Sequence, residues 1–353
     1  PDGTSVILDA DAGWIDPAPA AATIDWCRTE MAERRSAHAI ALAHSVAPAR
    51  LADGTRLEVF ANLASVGDAK LAVENGAEGC GLLRTEFIFA EASKAPDEQS
   101  QRQIYADIAA ALDGRPMIVR TIDIGGDKPV EYLPFPHEAN PALGQRGIRF
   151  ALQMPDILRT QLRAILQGVP RAQLRIMLPM IVEVAEIQAV RAMLDAECAS
   201  LGIAPGVELG IMVETPAAVL IADQLAAHAD FLSIGSNDLA QYVLAMDRGN
   251  AALVSRVDAY HPAVLQAVAL TGQAAVRHHR WLGLCGGLAS DPKGAPLLVG
   301  LGCHELSAVP RAIPEIKQVL ARWTHGECIR LAERALALES AEAVRNLLAE
   351  EVR

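Results

Sequence analysis

The residues best equipped for chemistry in this sequence are a set of cations, two carboxylates and one thiol, most of them placed just after short apolar stretches. Arg84, Arg120, Lys128, Arg146, Arg149 and Arg248 lie at or near such stretch ends. Guanidinium forks match phosphate and carboxylate oxygens two at a time, so the set suits a small substrate carrying both groups. Solvated surface arginines are the plainer reading. It covers one or two positions, and less easily Arg84 and Arg120, which leave successive stretches directly. Glu214 and Asp238 also follow their stretches at once. Two carboxylates are the minimal protein share of a Mg2+ site, which otherwise takes water and substrate phosphate oxygens, and Asn237 adds a neutral oxygen beside them. Pairing of either carboxylate with an arginine is the alternative. Gly125-Gly126, between Arg120 and Lys128, permits a tight turn and close backbone approach to a ligand. Cys285 ends another stretch, where a thiol suits proton transfer to or from an enol carbon; a buried, inert thiol is its other reading.

These groups need a scaffold that delivers them to one place. Short apolar segments recur at 57–61, 79–83, 117–119, 174–178, 208–213, 231–234, 281–285 and 305–308, with helical patterns between them at 155–166, 184–201, 216–227 and 262–278. Eight strands alternating with helices predict an α/β protein, a closed (β/α)8 TIM barrel, whose chemistry collects on the loops after the strands. An open doubly wound sheet would carry a Gly-rich phosphate loop after its first strand, whereas Ala61-Asn62-Leu63 stands there. The composition agrees: 51% of residues are hydrophobic but only 4% aromatic, as expected of aliphatic parallel strands buried on both faces.

Upstream of the barrel, Val6 to Ile15 reads as a hairpin around an Asp11-Ala12-Gly13 turn, and about Ile24 to Ala43 as a linker helix. A lone hairpin is barely stable, and the chain starts at Pro1 rather than Met. The expectation is therefore an edge of an upstream domain at 1–22, a helical linker at 23–52 and the barrel at 53–353. Six dispersed cysteines suggest reduced thiols in a cytoplasmic protein rather than a zinc site or disulfide framework. No apolar run is long enough for membrane insertion. The formal net charge of −12 excludes a general nucleic-acid surface. His44, His137, His278, His279 and His304 show no partner pattern, His38 is read as a structural residue of the linker helix, and no histidine is nominated as a phosphoryl acceptor.

Several segments together resemble the PEP-utilising enzymes. They are Leu83-Arg84-Thr85-Glu86-Phe87, Val119-Arg120-Thr121 through Gly125-Gly126-Asp127-Lys128, Asn140-Pro141-Ala142-Leu143-Gly144, Met212-Val213-Glu214-Thr215-Pro216-Ala217, Ser236-Asn237-Asp238-Leu239, Asp247-Arg248-Gly249-Asn250 and Leu284-Cys285-Gly286. The resemblance runs from about Leu57 to Lys317 and is strongest to the C-terminal half of enzyme I of the bacterial phosphoenolpyruvate:sugar phosphotransferase system, including its fused multiphosphoryl transfer forms. It implies Mg2+-dependent transfer of the phosphoryl group of phosphoenolpyruvate (PEP) to a protein histidine, leaving pyruvate. By motif, Arg84, Arg120, Lys128, Arg146 and Arg248 are the implied PEP binders, with Asn237 at the phosphate, Glu214 and Asp238 as metal ligands, and Cys285 as the acid that protonates the enolate. It also implies a homodimer, a phosphohistidine domain in the same polypeptide (residues 1–22 being its last edge) and a downstream HPr-like phosphocarrier.

Two departures stand out. Cys285-Gly286-Gly287 replaces the Cys-Gly-Glu usual in enzyme I, and Gln145-Arg146 replaces a Trp-Arg pair. The Gly-Gly-x-x-Ser-His phosphohistidine motif is absent from the sequence and is expected upstream of Pro1. The rival readings are a Mg2+-dependent aldolase or lyase acting on pyruvate-type enolates, and a non-catalytic PEP-sensing module.

Overall fold

The structure, a computed structural model, describes residues 3–9, 13–90, 92–126, 130, 132–133 and 137–352. Strands β1 (Ile7–Asp9) and β2 (Trp14–Asp16) form the expected antiparallel hairpin, with Ile7 opposite Asp16; Asp11 and Ala12 of its turn lie outside the described residues. Helix α1 (Ala21–Ser45) follows. Eight parallel strands then close into a barrel: β3 (Glu58–Leu63), β4 (Cys80–Leu83), β5 (Met117–Arg120), β6 (Leu174–Leu178), β7 (Glu208–Val213), β8 (Leu232–Gly235), β9 (Leu282–Cys285) and β10 (Glu305–Ala308), with β10 pairing back onto β3. The expected TIM barrel is the observed fold.

Alternation along each strand produces two cores. Val59, Val119, Ile176 and Leu284 face outward and join the large aliphatic layer under the helices. Phe60, Leu82, Ile118, Met177, Met212, Phe231 and Cys285 face inward and fill the barrel. The strands are short, so each interior holds only two or three side-chain layers. Whatever stands at a strand's last residue therefore emerges at the carboxyl-terminal mouth.

Turn chemistry fixes those exits. After β7, Glu214 is followed by Thr215, whose side chain accepts from Ala218 N, and by Pro216 at the first helical position. An N-cap and a proline preset for helix end the strand abruptly and leave Glu214 at the mouth. The helical pattern at 216–227 is in fact divided into Pro216–Leu220 and Ala222–Ala226, because Ile221 leaves helical geometry (φ −111°, ψ 26°). Among the described residues, no helix is long and apolar enough to cross a membrane.

Helix α1 packs against the helix Ile313–Leu320, and a buried lysine anchors its end. Lys317 Nζ donates to Ser45 O (2.8 Å), Ala47 O (3.0 Å) and Gly76 O (2.7 Å) and pairs with Glu78 Oε1 at 3.1 Å. Burial lowers the pKa of this amine, while Glu78 opposes the shift. Removing one partner of a buried pair strands the rest. Lys317→Ala should therefore cost about 3–5 kcal/mol, read as a lower urea midpoint; an unchanged midpoint would show that these carbonyls are satisfied without it.

Candidate functional site

The strand ends enclose a cavity of about 270 Å³ at the carboxyl-terminal mouth, lined by Arg84, Arg120, Glu214, Asn237, Asp238, Arg248 and Cys285 among others. Leu82, Phe87 and Met212 supply its apolar wall. Groups spread over two hundred residues of sequence thus share one pocket.

An alternating chain of charges, buried except at its Arg248 end, runs along and behind the pocket wall. Arg120, the last residue of β5, is 3% exposed. Its Nη2 contacts Glu86 Oε1 at 2.7 Å and its Nη1 contacts Asp123 Oδ2 at 3.2 Å and the Met212 sulfur at 3.6 Å. Arg146 continues the chain, with Nη2 3.0 Å from Asp123 Oδ2 and Nη1 2.9 Å from Asp238 Oδ1. Arg248 Nη2 closes it at 3.4 Å from the same Asp238 oxygen. Burial alone would discharge Arg120 and Arg146, but the surrounding carboxylates outweigh it and hold both guanidiniums charged.

Arg146 differs from the other nominated cations. It is fully buried, does not line the cavity, and is brought to Asp123 by an isolated antiparallel bridge between residues 125 and 146. It also donates to Tyr242 Oη, which in turn donates to Ala142 O. Arg149 binds the carbonyls of Leu143 and Gly144 and likewise stands off the cavity wall. Lys128 lies outside the described residues. His38 is exposed within α1.

Glu214 is the exceptional carboxylate. Its Oε1 accepts from Met180 N at 2.6 Å, whereas Oε2 is buried without a hydrogen-bond partner. Burial first, then the charges of Asp238 and Asp123, push its pKa up to about 8 against the pull of Arg120 and Arg146. Such a group suits a cation that the protein itself does not supply. Among the described residues no three His, Cys, Asp or Glu side chains converge to cage a metal. Mg2+ needs only one or two protein carboxylates beside water and phosphate oxygens. Glu214 and Asp238 fit as those ligands, with the Asn237 amide beside them. Asn237 Oδ1 accepts from Gly287 N at 3.1 Å, which ties the loop after β8 to the loop after β9.

Cys285, 2% exposed, donates weakly to Ile234 O at 3.4 Å. Burial raises its pKa to about 12, with Glu214 and Glu305 adding to the rise and Arg120 opposing it. Burial thus favours the protonated thiol. Gly286 beside it has φ 101°, and a Cβ there would lie 2.4 Å from Ser236 Oγ, so the turn after β9 requires glycine.

Glu86 and Asp123 were not nominated from the sequence, although both sit within three residues of a nominated arginine. Their part becomes evident only when Arg120 is seen to be buried, since a desolvated guanidinium needs carboxylates. Met212 opens one of the family-like segments but was given no role, being one more apolar residue of β7.

Glu214 sets a pH dependence. Its folded pKa of about 8 exceeds the ordinary 4.5, so between those values the folded chain holds a proton that the unfolded chain has released. Stability therefore falls as pH rises through that window. Glu214→Gln should melt higher than the unsubstituted chain at about pH 9, with the gap narrowing toward about pH 5. A gap independent of pH would mean that Glu214 is ionised in the fold throughout.

The model of the PEP-utilising enzyme family's PEP-binding domain matches residues 40–325. A multiphosphoryl transfer protein of Xanthomonas campestris pv. campestris is 46% identical over 350 residues, 99% of this chain and 42% of that protein. One from Rhodobacter capsulatus is 46% identical over 345 residues, covering 98% of this chain and 42% of the relative. A phosphoenolpyruvate-protein phosphotransferase of Haloferax volcanii is 42% identical over 361 residues, covering 98% and 61%. The chain thus spans less than two thirds of the length of each of these relatives. By its strand-end motifs, its barrel and these matches, the chain belongs to the PEP-utilising enzymes and contains their PEP-binding domain.

Proposed function

We propose that the chain is the PEP-binding, phosphoryl-donating part of a phosphoenolpyruvate-protein phosphotransferase: PEP and a protein histidine give pyruvate and protein phosphohistidine. The observation that carries this reading is the shared pocket of Arg84, Arg120, Arg248, the carboxylates Glu214 and Asp238, and the protonated thiol of Cys285. The names of the relatives favour the same reaction.

Arg84, Arg120 and Arg248 would bind the phosphate and carboxylate of PEP, Arg120 without reorganisation because its carboxylates already orient it. Arg146 would act from behind, fixing Asp123 and Asp238. Lys128 belongs to the same proposed binding set. Mg2+, held by Glu214 and Asp238 near Asn237, would neutralise charge on the phosphoryl oxygens. When the P–O bond to the enol oxygen breaks and phosphorus joins the histidine nitrogen, the remaining enolate takes a proton on carbon from Cys285 and becomes pyruvate. Leu82 and Met212 line the cavity with Cys285 and keep that end of the pocket apolar.

The acceptor histidine would stand on a phosphohistidine domain of which 1–22 is the edge, joined by the linker 23–52 to the barrel 53–353. An HPr-like carrier would take the phosphoryl group onward in bacterial sugar uptake, with the protein working in the cytoplasm as a homodimer.

The test is PEP-dependent phosphorylation of a histidine domain supplied in trans. Arg120→Ala and Glu214→Ala should each lower it at least about 10²-fold, and near-normal transfer in both would sink this site. Cys285→Ser should slow turnover while PEP binding is retained; full turnover would favour a module that only senses PEP.

A further inference from the structure

Glu305 opens β10 with its side chain inside the barrel, 1% exposed, and neither carboxyl oxygen has a hydrogen-bond partner. An unpartnered buried polar group is costly, so a carboxyl inside the barrel whose interior cluster holds Phe60, Phe231 and Met177 needs a reason. Its surroundings leave it room. Glu305 stands opposite Gly283 in the strand register, and Gly283 stands opposite Ser233 on its other side. The row across three strands thus reads carboxyl, no side chain, hydroxyl, and the Ser233 hydroxyl is also buried without a partner. A Cβ on Gly283 would lie 2.3 Å from Glu305 Oε2. One on Gly81 would lie 2.4 Å from Glu305 Oε1 and 2.5 Å from Ser307 Oγ. Those two oxygens are therefore no further apart than one bridging water spans.

The row connects upward and downward. Ser307 is the register partner of Cys285. The thiol thus sits two residues above the Glu305 layer, roughly 6.6 Å along the strand. Below, Glu305 is the register partner of Glu58, whose side chain is 38% exposed at the amino-terminal mouth. Burial first, then the charge of Glu58, raises the pKa of Glu305 well above the carboxylate range, with Arg175 opposing. The group is thereby kept neutral, with a proton to give.

We propose that Glu305 replenishes the proton of Cys285 from beneath, through water held between its carboxyl and the hydroxyls of Ser233 and Ser307. The inference rests on reading Cys285 as the acid of the preceding subsection. Once Cys285 has given its proton to carbon, the Glu305 carboxyl releases one into the bridge, and the bridge delivers one to the thiolate sulfur. The carboxylate is reprotonated from the amino-terminal mouth past Glu58. No electrons change hands. Glu305 touches no substrate and acts only through Cys285.

Exchange of pyruvate methyl protons with D2O, followed by NMR on this chain with Mg2+, isolates the step, because it needs Cys285 to trade protons with solvent and needs no histidine. The unsubstituted chain should exchange and Cys285→Ser should not. Glu305→Gln should lower the maximal rate about 10- to 100-fold with the half-saturating pyruvate concentration unchanged, a split that a purely structural role would not give. Ser233→Ala should slow exchange severalfold and carries the test should E305Q fail to fold. Full exchange in both E305Q and S233A, with loss confined to C285S, would overturn the relay alone. No exchange in the unsubstituted chain, with oxalate still bound, would overturn the assignment of Cys285 and the relay with it.

Discussion

The site depends on one run of alternating charge, buried except at its last member: Glu86, Arg120, Asp123, Arg146, Asp238, Arg248. Arg120 and Arg146 are each shared between two carboxylates, and Asp123 and Asp238 are each shared between two cations. Bringing so many charges out of water is expensive, and only close, multiple pairing makes it tolerable. If Arg120 and Asp238 meet the ligand as proposed, these pairings hold them already oriented, which lowers the cost of reorganisation on binding. Glu214 is the exception, with one oxygen on a backbone amide and the other on nothing. The network leaves at its centre a carboxyl whose pKa burial pushes up to about 8.

Barrel closure makes this arrangement attainable. Arg120 ends β5, Glu214 follows β7 and Asp238 follows β8, and none is near another in sequence. The parallel register brings these ends to a single mouth, and short strands leave few layers between that mouth and the opposite one. Hence residues of the barrel interior, such as Glu305 and Ser233, stand in the layer two residues below Cys285 and do not line the pocket.

Strand order and the strand-end residues were legible in the sequence because both follow from period and position. A polar residue just past a buried strand has little choice of direction, so the sequence alone places Arg84, Arg120, Glu214, Asp238 and Cys285 at the mouth. Arg146 could not. It reaches the network because the segment after residue 124 folds back so that Gly125 bridges to it, a tertiary event with no local pattern. Burial turned it from a cation facing the pocket into a strut behind it. Glu305 was invisible for another reason: at the start of a strand, one carboxylate looks like any solvated end residue, and only its inward direction makes it unusual. The break at Ile221 likewise reflects surroundings that helical periodicity does not encode.

The most direct measurement of the central claim is a calorimetric titration of PEP into this chain, first with Mg2+ and then with EDTA. The account predicts binding that requires Mg2+, accompanied near neutral pH by proton release as Glu214 gives up its proton to the cation, seen as an enthalpy that changes with the buffer. Binding of equal strength in EDTA, with no proton released, would contradict it.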